Sequence, residues 1–339
     1  MKKTTLKEIA STLGISISTV SKALKNYPDV SQKTKSKVLE LVESLNYTPN
    51  VFAQSLRGQS SKTIGVIIPT MAHYFFSRII DAILKEAEKR DFIVIIMQSN
   101  ENYELEKKQV DVLLNKSVDG ILISLANNTN NFEHLKKIIN YNTPLVQFDK
   151  ITKLVNSSKV IIDDIKASYD AVNYLISKGY KRIAYFRGDL NPQNSIDRFI
   201  GYKKALEFNG IAFDPSLVYI TSDANFDEGY KNAKQLIKDH STNIDAIYTV
   251  TDLVAIGAMN YLKELQIKTP EEIAVFGFSN WFMSSVITPT LSSVEQHAYQ
   301  MGETSAKILF NEIDLKHKGI PADHQKIIID TELIIRNST

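Results

Sequence analysis

The chain has 339 residues, which is enough for two or three compact domains. With 43% hydrophobic and 23% charged residues, it has the composition of a globular protein and not of a disordered one. It contains no cysteine, which excludes disulfides and thiol chemistry and fits a cytoplasmic protein.

The positive charge is concentrated at the amino terminus. Residues 1–62 contain ten Lys and Arg residues against four Asp and Glu residues, whereas the net charge of the whole chain is +2. A basic end on an acidic body indicates either contact with a polyanion or an ordinary solvated face. Glu8 interrupts any signal-peptide core, and no uncharged run reaches the roughly 20 residues of a membrane span, so we expect neither secretion nor membrane insertion.

The first 48 residues carry the start and stop signals of three helices. The segment from Thr5 to Glu8 fits a capping box, and Gly14 suits the end of the first helix. Ser16 and Ser31 can cap a second and a third helix. The third helix has a core-facing stripe formed by Val38, Leu41, Val42 and Leu45.

The first two helices have helix-turn-helix spacing. Only about three residues join them, which forces a sharp angle that small Ala10 permits and that Ile15 and Val20 fill. The outer face of the second helix carries no acidic residue, so its short side chains can enter a major groove. That face is formed by Ile17, Ser18, Ser21, Lys22 and Lys25.

The segment "NYTPNVFAQSLRGQSSK" predicts a short helix followed by a polar linker. Pro49 suits its first turn and Gly58 its end, while Ala53 and Leu56 lie on one side. About eight residues are too few for a stable isolated helix, so we expect it to form only against a partner. The alternative is a plain interdomain tether.

These two segments together resemble the lactose-repressor (LacI) family of bacterial transcription regulators. "LKEIASTLGISISTVSKALKNYPDVS" is similar to the family headpiece, and "LNYTPNVFAQSLRG" to its hinge. The resemblance implies base contacts from Ile17, Ser18 and Lys22, and a hinge helix whose Leu56 wedges into the minor groove. Lys25 stands where the family often has Asn, so we expect it to contact phosphate. The implied DNA-binding set is Thr5, Ser16, Ile17, Ser18, Thr19, Ser21, Lys22, Lys25, Ser31, Thr34, Tyr47, Asn50, Ala53 and Leu56.

From residue 61 onward, strand-like apolar runs alternate with helical patterns, and the series runs twice. This alternation predicts two α/β lobes with parallel sheets and a cleft between them at the carboxyl ends of the strands. The predicted strands are 64–68, 92–97, 120–124, 144–148, 160–162, 182–186, 218–221, 246–250 and 273–278, and helices are predicted at 77–90 and 198–209. The tail "KIIIDTELIIR" is also strand-like.

Aromatic and planar polar residues follow these strands, as a sugar site requires for ring stacking and paired hydrogen bonds. Each also has an ordinary structural interpretation, such as core packing for an aromatic or helix capping for an Asp. The candidate ligand-binding residues are Phe75, Phe76, Asp149, Lys150, Asn194, Arg198, Asp252, Asn280 and Trp281.

The family resemblance continues through the body in "RFIGYKKALE", "TDLVAIGAMNYLKE" and "PTLSSVEQHAYQMGETSAKIL". It implies a body like periplasmic sugar-binding proteins, with effector contacts at Phe75, Phe76, Asp149, Arg198 and Asp252. The chain departs from the family where "GFSNW" replaces "G-F-D-D", so an anionic acceptor is lost and Trp281 adds a stacking face. His73 and Tyr74 likewise replace a frequent Asn-Pro.

The pattern argues against an enzyme and against a transport protein. We find no nucleophile elbow, phosphate-binding loop or clustered His set, so we expect no catalytic residues, no metal and no cofactor. A periplasmic binding protein for transport would need a signal peptide and would not need a basic front end.

We therefore predict a cytoplasmic homodimeric regulator that binds near-palindromic operator DNA and a small effector, with a sugar or sugar phosphate favoured over a purine. The predicted parts are a headpiece (1–48), a hinge helix and linker (49–60) and a body (61–339). Lobe 1 is expected at about 61–160 plus 292–325, and lobe 2 at about 161–291 plus 326–339.

Overall fold

The computed structural model describes residues 5–24, 26–45, 60–241 and 243–339. The chain divides into two compact units, Met1–Ser61 and Lys62–Thr339. In the first unit, the described helices are α1 (Leu6–Leu13), α2 (Ile17–Leu24) and α3 (Gln32–Ser44). The predicted residues of the hinge helix, 49–56, lie outside the described residues.

The caps predicted for α1, α2 and α3 are confirmed. Thr5 N donates to Glu8 Oε2 at 2.8 Å, and Glu8 N donates to Thr5 Oγ1 at 3.3 Å, which completes the capping box of α1. Gly14 ends α1 in the left-handed conformation, with φ of 64°. Ser16 and Ser31 cap α2 and α3 by accepting from the amides three residues on.

The core of the first unit lies where the three helices meet. It contains buried Ile9, Ala10, Val20, Ala23, Val30 and Val38, with Leu41 and Val42 partly buried against them. Leu45, predicted to extend this stripe, is instead exposed at the end of α3. Because Val20 and Ala23 face inward, the opposite side of α2 is left on the surface.

The second unit begins with β1 (Thr63–Ile68), α4 (Tyr74–Glu88), β2 (Ile93–Gln98), α5 (Tyr103–Asn115), β3 (Gly120–Ile123), α6 (Glu133–Asn140), β4 (Leu145–Phe148) and β5 (Ser158–Ile162). It continues with α7 (Asp164–Ser177), β6 (Ile183–Arg187), α8 (Gln193–Phe208), β7 (Val218–Ile220), α9 (Phe226–His240), β8 (Ala246–Thr249), α10 (Asp252–Glu264), β9 (Ala274–Phe278) and β10 (Ser292–Glu295). The last elements are α11 (Ala298–His317), β11 (Lys326–Ile329) and β12 (Glu332–Ile334).

The strands form two six-stranded sheets, which confirms the two predicted α/β lobes. The order in the first sheet is β11-β5-β4-β3-β1-β2, and every pairing is parallel. The order in the second is β12-β10-β9-β8-β6-β7, with only β12 antiparallel to its neighbour. One buried cluster includes side chains of both lobes, and two further clusters fill one lobe each.

Two of the three late strands belong to the opposite lobes from those predicted, whereas β12 lies in the second sheet, as predicted for 326–339. β10 lies in the second sheet, although 292–325 was expected in lobe 1, and β11 lies in the first sheet, although 326–339 was expected in lobe 2. The tail is not one strand: Asp330 and Thr331 separate β11 from β12, and the chain changes sheet between them. It also changes lobe after β5 and after β10, so three segments join the lobes.

Two helical glycines hold α9 against α10. A Cβ at Gly257 would lie 2.1 Å from the carbonyl oxygen of Phe226, and a Cβ at Gly229 would lie 2.1 Å from that of Val254. Each glycine therefore lets the backbone of one helix approach the other more closely than any side chain would allow.

We predict that Gly257→Ala lowers the free energy of unfolding by about 1–3 kcal/mol, because the added methyl group would separate the two helices. Urea denaturation followed by circular dichroism measures this loss. Lys263→Ala, at an exposed position of the same helix, is the control and should change the value by less than about 0.5 kcal/mol. Equal stability of the two variants would contradict the close packing of α9 and α10.

Candidate functional site: an interlobe cavity and an exposed helix-turn-helix face

A cavity of about 130 Å³ lies between the two lobes of the second unit, at the carboxyl ends of the strands. Eight of the nine predicted ligand-binding residues line it, from both lobes. They are Phe75, Phe76, Asp149, Lys150, Asn194, Arg198, Asp252 and Trp281. The structure therefore brings together residues that are up to 206 positions apart in the chain.

Arg198 is fixed at the buried wall of this cavity, with 5% of its surface exposed. Its Nε donates to Asp164 Oδ1 at 2.7 Å, and its Nη1 donates to the carbonyl oxygen of Val250 at 3.2 Å. Its Nη2 donates to Gln296 Oε1 at 3.3 Å, and the guanidinium carbon lies 3.7 Å from the ring centre of Phe278. The cation is thus held by four independent contacts in one orientation.

Asp164 is the buried counter-ion of Arg198. Burial raises the pKa of this carboxyl to about 7, and the attraction of Arg198 acts against that increase. Nothing in the residue pattern distinguishes Asp164 from its neighbour Asp163, which caps α7 at the surface. The prediction therefore missed Asp164.

Asp149 and Lys150 directly follow β4. Asp149 forms a hydrogen bond to the other lobe, and Lys150 forms an ion pair with Glu101. Asp149 Oδ2 accepts from Ser124 Oγ at 3.2 Å, and Asp149 Oδ1 accepts from Asn194 Nδ2 of the other lobe at 3.2 Å. Burial raises the pKa of Asp149, because water no longer solvates its charge. Lys150 Nζ donates to Glu101 Oε1 at 2.6 Å and to Asn127 Oδ1 at 2.5 Å.

Further polar contacts across the cleft hold the two lobes together beside the cavity. Asn191 Nδ2 of lobe 2 donates to the carbonyl oxygens of Asn127 and Thr129 in lobe 1, at 2.5 and 3.2 Å. Asn127 Nδ2 in turn donates to the carbonyl oxygen of Ser222 at 3.4 Å. The described conformation is therefore one in which the lobes touch.

The aromatic residues reach the cavity from both sides. Phe75 and Phe76 in α4 are nearly fully buried and pack edge to face, with ring centres 5.3 Å apart, so they serve the core as well as the cavity wall. Trp281 is half-buried on the opposite wall and packs against Phe282. The ring centre of Phe282 lies 5.7 Å from that of Tyr74, which forms an aromatic contact between the lobes.

Asp252 lines the cavity, but its carboxylate already accepts three short hydrogen bonds from its own lobe. Oδ2 accepts from Trp281 N at 2.6 Å and from Ser284 Oγ at 2.7 Å, and Oδ1 accepts from Ser293 Oγ at 2.5 Å. These bonds fix the loop that carries Trp281, so the main role of Asp252 here is to position that loop.

Asn280 is the one candidate of the nine that does not line the cavity. Its Nδ2 donates to Glu295 Oε2 at 2.7 Å, and its Oδ1 accepts from Arg336 Nη2 at 2.7 Å, in a neighbouring groove. Ser279 and Asn280 both have positive φ, which turns the chain after β9 and directs this side chain away from the cavity. The prediction that Asn280 faces the ligand is therefore wrong.

Several cavity residues were not predicted. Some of them closely follow a strand, so the principle that the carboxyl ends of parallel strands line the cleft could have identified them. Glu101 follows β2, Asn127 follows β3 and Gln296 follows β10, each within a few residues of the strand. Asn194 and Arg198 both lie in α8, because this helix begins at Gln193, directly after Pro192, and not at 198.

The first unit presents the predicted DNA-reading side of α2 to solvent. Ile17, Ser18 and Lys22 are exposed there. Lys22 Nζ donates to the carboxylate of Asp29, so an acid that the sequence pattern did not associate with this face lies beside it. Four further candidates lie in the first turns or caps of helices, where amide groups attract anions: Thr5, Ser16, Ser31 and Thr34. Thr19 and Ser21 are half-buried in α2. Lys25, Tyr47, Asn50, Ala53 and Leu56 lie outside the described residues.

Two features are absent from the part of the chain that the structure describes. Within that part, no helix has both the length and the apolar character needed to cross a membrane. Over the same residues, no group of three or more His, Asp or Glu side chains is arranged to hold a metal ion.

Two protein-family models match this chain. The model described as periplasmic binding proteins and sugar binding domain of LacI family matches residues 61–336, and the model described as bacterial regulatory proteins, lacI family, matches residues 5–50. The second match covers the helix-turn-helix, and the first covers both lobes around the cavity.

Curated relatives and solved structures match over nearly the whole chain. The chain is 32% identical to the HTH-type transcriptional regulator RegA of Clostridium saccharobutylicum, over 99% of both chains. It is 29% identical to the ribose operon repressor of Halalkalibacterium halodurans, over 99% of this chain and 97% of that one. The lac repressor dimer bound to operator and the anti-inducer ONPF is 25% identical, with a TM-score of 0.83 and 99% coverage of both chains.

We predict that Asp164→Asn lowers the free energy of unfolding by about 3–5 kcal/mol, because it leaves the Arg198 charge buried without a counter-ion. Asp163→Asn is the matched control, since Asn caps a helix as well as Asp does and should cost less than about 0.5 kcal/mol. Urea unfolding of the two variants measures the difference, and a loss of similar size in both would contradict the buried ion pair.

Proposed function

Because the chain belongs to the LacI family of bacterial regulatory proteins, we propose that it represses transcription under the control of a sugar or sugar derivative bound between its lobes. It is a helix-turn-helix transcriptional regulator with a ligand-binding body like the periplasmic binding proteins. The observation that carries the proposal is the cavity between the lobes, in which a fixed guanidinium faces aromatic and amide side chains.

The cavity chemistry supports a sugar as the ligand. Sugars offer hydroxyl groups that both donate and accept, and apolar ring faces that pack on aromatic side chains. Arg198 supplies fixed donors, Asp149 and Asn194 supply planar polar groups, and Trp281 supplies a ring face. The names of two relatives, a ribose operon repressor and a lac repressor, fit the same class of ligand.

We propose that the protein binds DNA as a homodimer. One eight-residue helix such as α2 reads only about half of a site, so two copies related by two-fold symmetry would read a near-palindrome with half-sites about one helical turn apart. In this proposal Ile17, Ser18 and Lys22 contact base edges, and the helix N-termini contact phosphates. The proposed hinge role of Leu56 rests on the sequence alone. Access to chromosomal DNA places the protein in the cytoplasm.

Ligand binding would control DNA affinity by changing how the lobes meet. Asp149 and Asn194 bond to each other across the cleft and also line the cavity, so a ligand that contacts either one competes with their mutual bond. A coupling free energy of about 1–3 kcal/mol, equal to roughly 5- to 150-fold in operator affinity, is the usual size of such control. We assign the cavity a binding role and not a catalytic one.

The experiment that tests the proposal selects DNA from a random duplex pool with the full-length protein and then adds sugars to the complex. We expect a near-palindromic site, bound at least about 10³-fold more tightly than random duplex at moderate salt. A panel of ribose, glucose, galactose, maltose, cellobiose and sucrose should contain a sugar that changes this affinity. Absence of any preferred sequence would contradict the regulatory role, and sequence preference with no response to sugars would contradict the proposed ligand class.

We predict that Lys22→Ala relaxes the preference for one base pair in each half-site, by about 1–3 kcal/mol, because its ammonium group would no longer reach a base edge. Repeating the selection with this variant measures the change. Lys37→Ala, which removes the same charge from an exposed position of α3, should weaken binding to all sequences about equally. An unchanged base profile for Lys22→Ala would remove this residue from the base-reading set.

We predict that Arg198→Ala abolishes the response of operator binding to the sugar, because the ligand loses its fixed donors. Operator affinity without sugar should stay within about threefold of the unmodified protein, which also shows that the variant folds. Arg182→Ala, a change in the same lobe away from the cavity, should keep the response. A variant lacking Arg198 that still responds fully would exclude this residue from the ligand site.

A further inference from the structure

The wall of the interlobe cavity is strongly acidic. Five carboxylates line it, from Glu101, Asp149, Asp189, Asp223 and Asp252, against two basic side chains, Lys150 and Arg198. His73 adds no positive charge at neutral pH, since burial and the nearby charge of Lys150 lower the pKa of its ring. Asp252 is buried, Glu101 and Asp189 are half-buried and Asp223 is exposed, so the acidic excess extends from the buried wall to the solvent-exposed edge of the cavity.

Both basic side chains are already paired. Lys150 Nζ lies 2.6 Å from Glu101 Oε1, and Arg198 Nε lies 2.7 Å from Asp164 Oδ1, a carboxylate just behind the cavity wall. An anionic ligand would therefore have to compete with an existing carboxylate for each cation. Neither pair leaves an uncompensated positive charge for a phosphate.

Four of the five cavity carboxylates, all but Glu101, are not in an ion pair with any Lys or Arg of the described residues, and of these four Asp252 already accepts three short hydrogen bonds from its own lobe. Asp149 accepts only from Ser124 and Asn194 side chains. Asp189 accepts from Ser222 Oγ at 3.3 Å, and Asp223 follows Ser222 directly, so these two acids lie close together at one end of the cavity. The side chains that donate to Asp149 and Asp189 are neutral, so they satisfy hydrogen bonds but do not balance charge.

The cavity wall contains a buried hydroxyl group without a hydrogen-bond partner among the described residues, and the cavity volume limits the size of the ligand. Ser195 Oγ is buried and has no hydrogen-bond partner in the described residues, and Ser195 lines the cavity. The volume of about 130 Å³ is close to that of an engineered cavity of about 150 Å³ that binds benzene. The space therefore accommodates one six-membered ring in this conformation, with a polar group near Ser195.

We propose that the ligand is a single-ring sugar that carries a protonated amine, and that the Asp149, Asp189 and Asp223 carboxylates select for that charge. This inference rests on the proposed function, and it names the ligand class of the same cavity. An ammonium group gains attraction from the unpaired carboxylates, a neutral sugar gains hydrogen bonds alone, and a sugar phosphate is repelled.

The test compares parent sugars with their 2-amino and 6-phosphate derivatives, with isothermal titration calorimetry of the full-length protein at about pH 6.5. The three series are glucosamine, glucose and glucose 6-phosphate, and the corresponding forms of galactose and mannose. We expect at least one amino sugar to bind about tenfold more tightly than its parent, with the phosphate weakest of the three. Raising the salt concentration should reduce the advantage of the amine and leave the affinity of the parent sugar nearly unchanged.

A double variant locates the charge selection. Asp189→Asn with Asp223→Asn should reduce the tenfold preference for the amine to about threefold or less, because the amides keep the shape and lose the charge. Asp227→Asn with Asp239→Asn is the matched control, since it removes the same net charge from exposed positions in the same lobe. The control should keep the full preference.

The outcomes separate the two proposals. If a parent sugar or a sugar phosphate binds as tightly as the amino sugar or more tightly, the amine proposal fails and the sugar-binding function stands. If the double variant and its control keep the same preference for the amine, selection by Asp189 and Asp223 is overturned. If no sugar of any series binds at concentrations up to about 10 mM, both the amine proposal and the proposed ligand class fail.

Discussion

The cavity of the ligand-binding body is organised around one buried ion pair. A guanidinium inside a protein is stable only where a counter-ion and hydrogen-bond acceptors replace water, and Asp164, Val250 and Gln296 provide these for Arg198. The pair also has a geometric effect, because Gln296 lies in one of the three segments that join the lobes. The group that would hold the ligand is thus bonded directly to a connection between the lobes.

This arrangement explains how a small cavity could influence the whole body. Side chains that line it also bond across the cleft: Asp149 meets Asn194, and Asn127 meets Asn191 and Ser222. A ligand that exchanges even one of these bonds changes the balance between touching and separated lobes. Bonds of this kind contribute about 0.5–1.5 kcal/mol each, so exchanging two or three of them covers the usual range of allosteric coupling.

The sequence predicted most of the fold, and eight of its nine ligand-binding candidates line the cavity, for identifiable reasons. Apolar periodicity located the strands, and parallel strands bring their carboxyl ends to one edge, which identified Asp149 and Trp281 as neighbours across a cleft. It could not tell which of the adjacent acids Asp163 and Asp164 turns inward, nor that positive φ at Ser279 and Asn280 directs Asn280 away. The lobes of β10 and β11 were also unpredictable, because an apolar run does not specify which sheet it joins.

In the proposed mechanism, occupancy of the cavity controls binding to DNA. Trp281 is the only tryptophan of the chain and lines the cavity, so its fluorescence reports occupancy without a label. The most direct measurement is a titration in which a sugar that binds the protein is added to the protein–operator complex. Tryptophan emission and the anisotropy of labelled operator are recorded together in this titration. Both signals should change with the same midpoint. A change in operator binding while Trp281 emission stays constant, or the reverse, would contradict this mechanism.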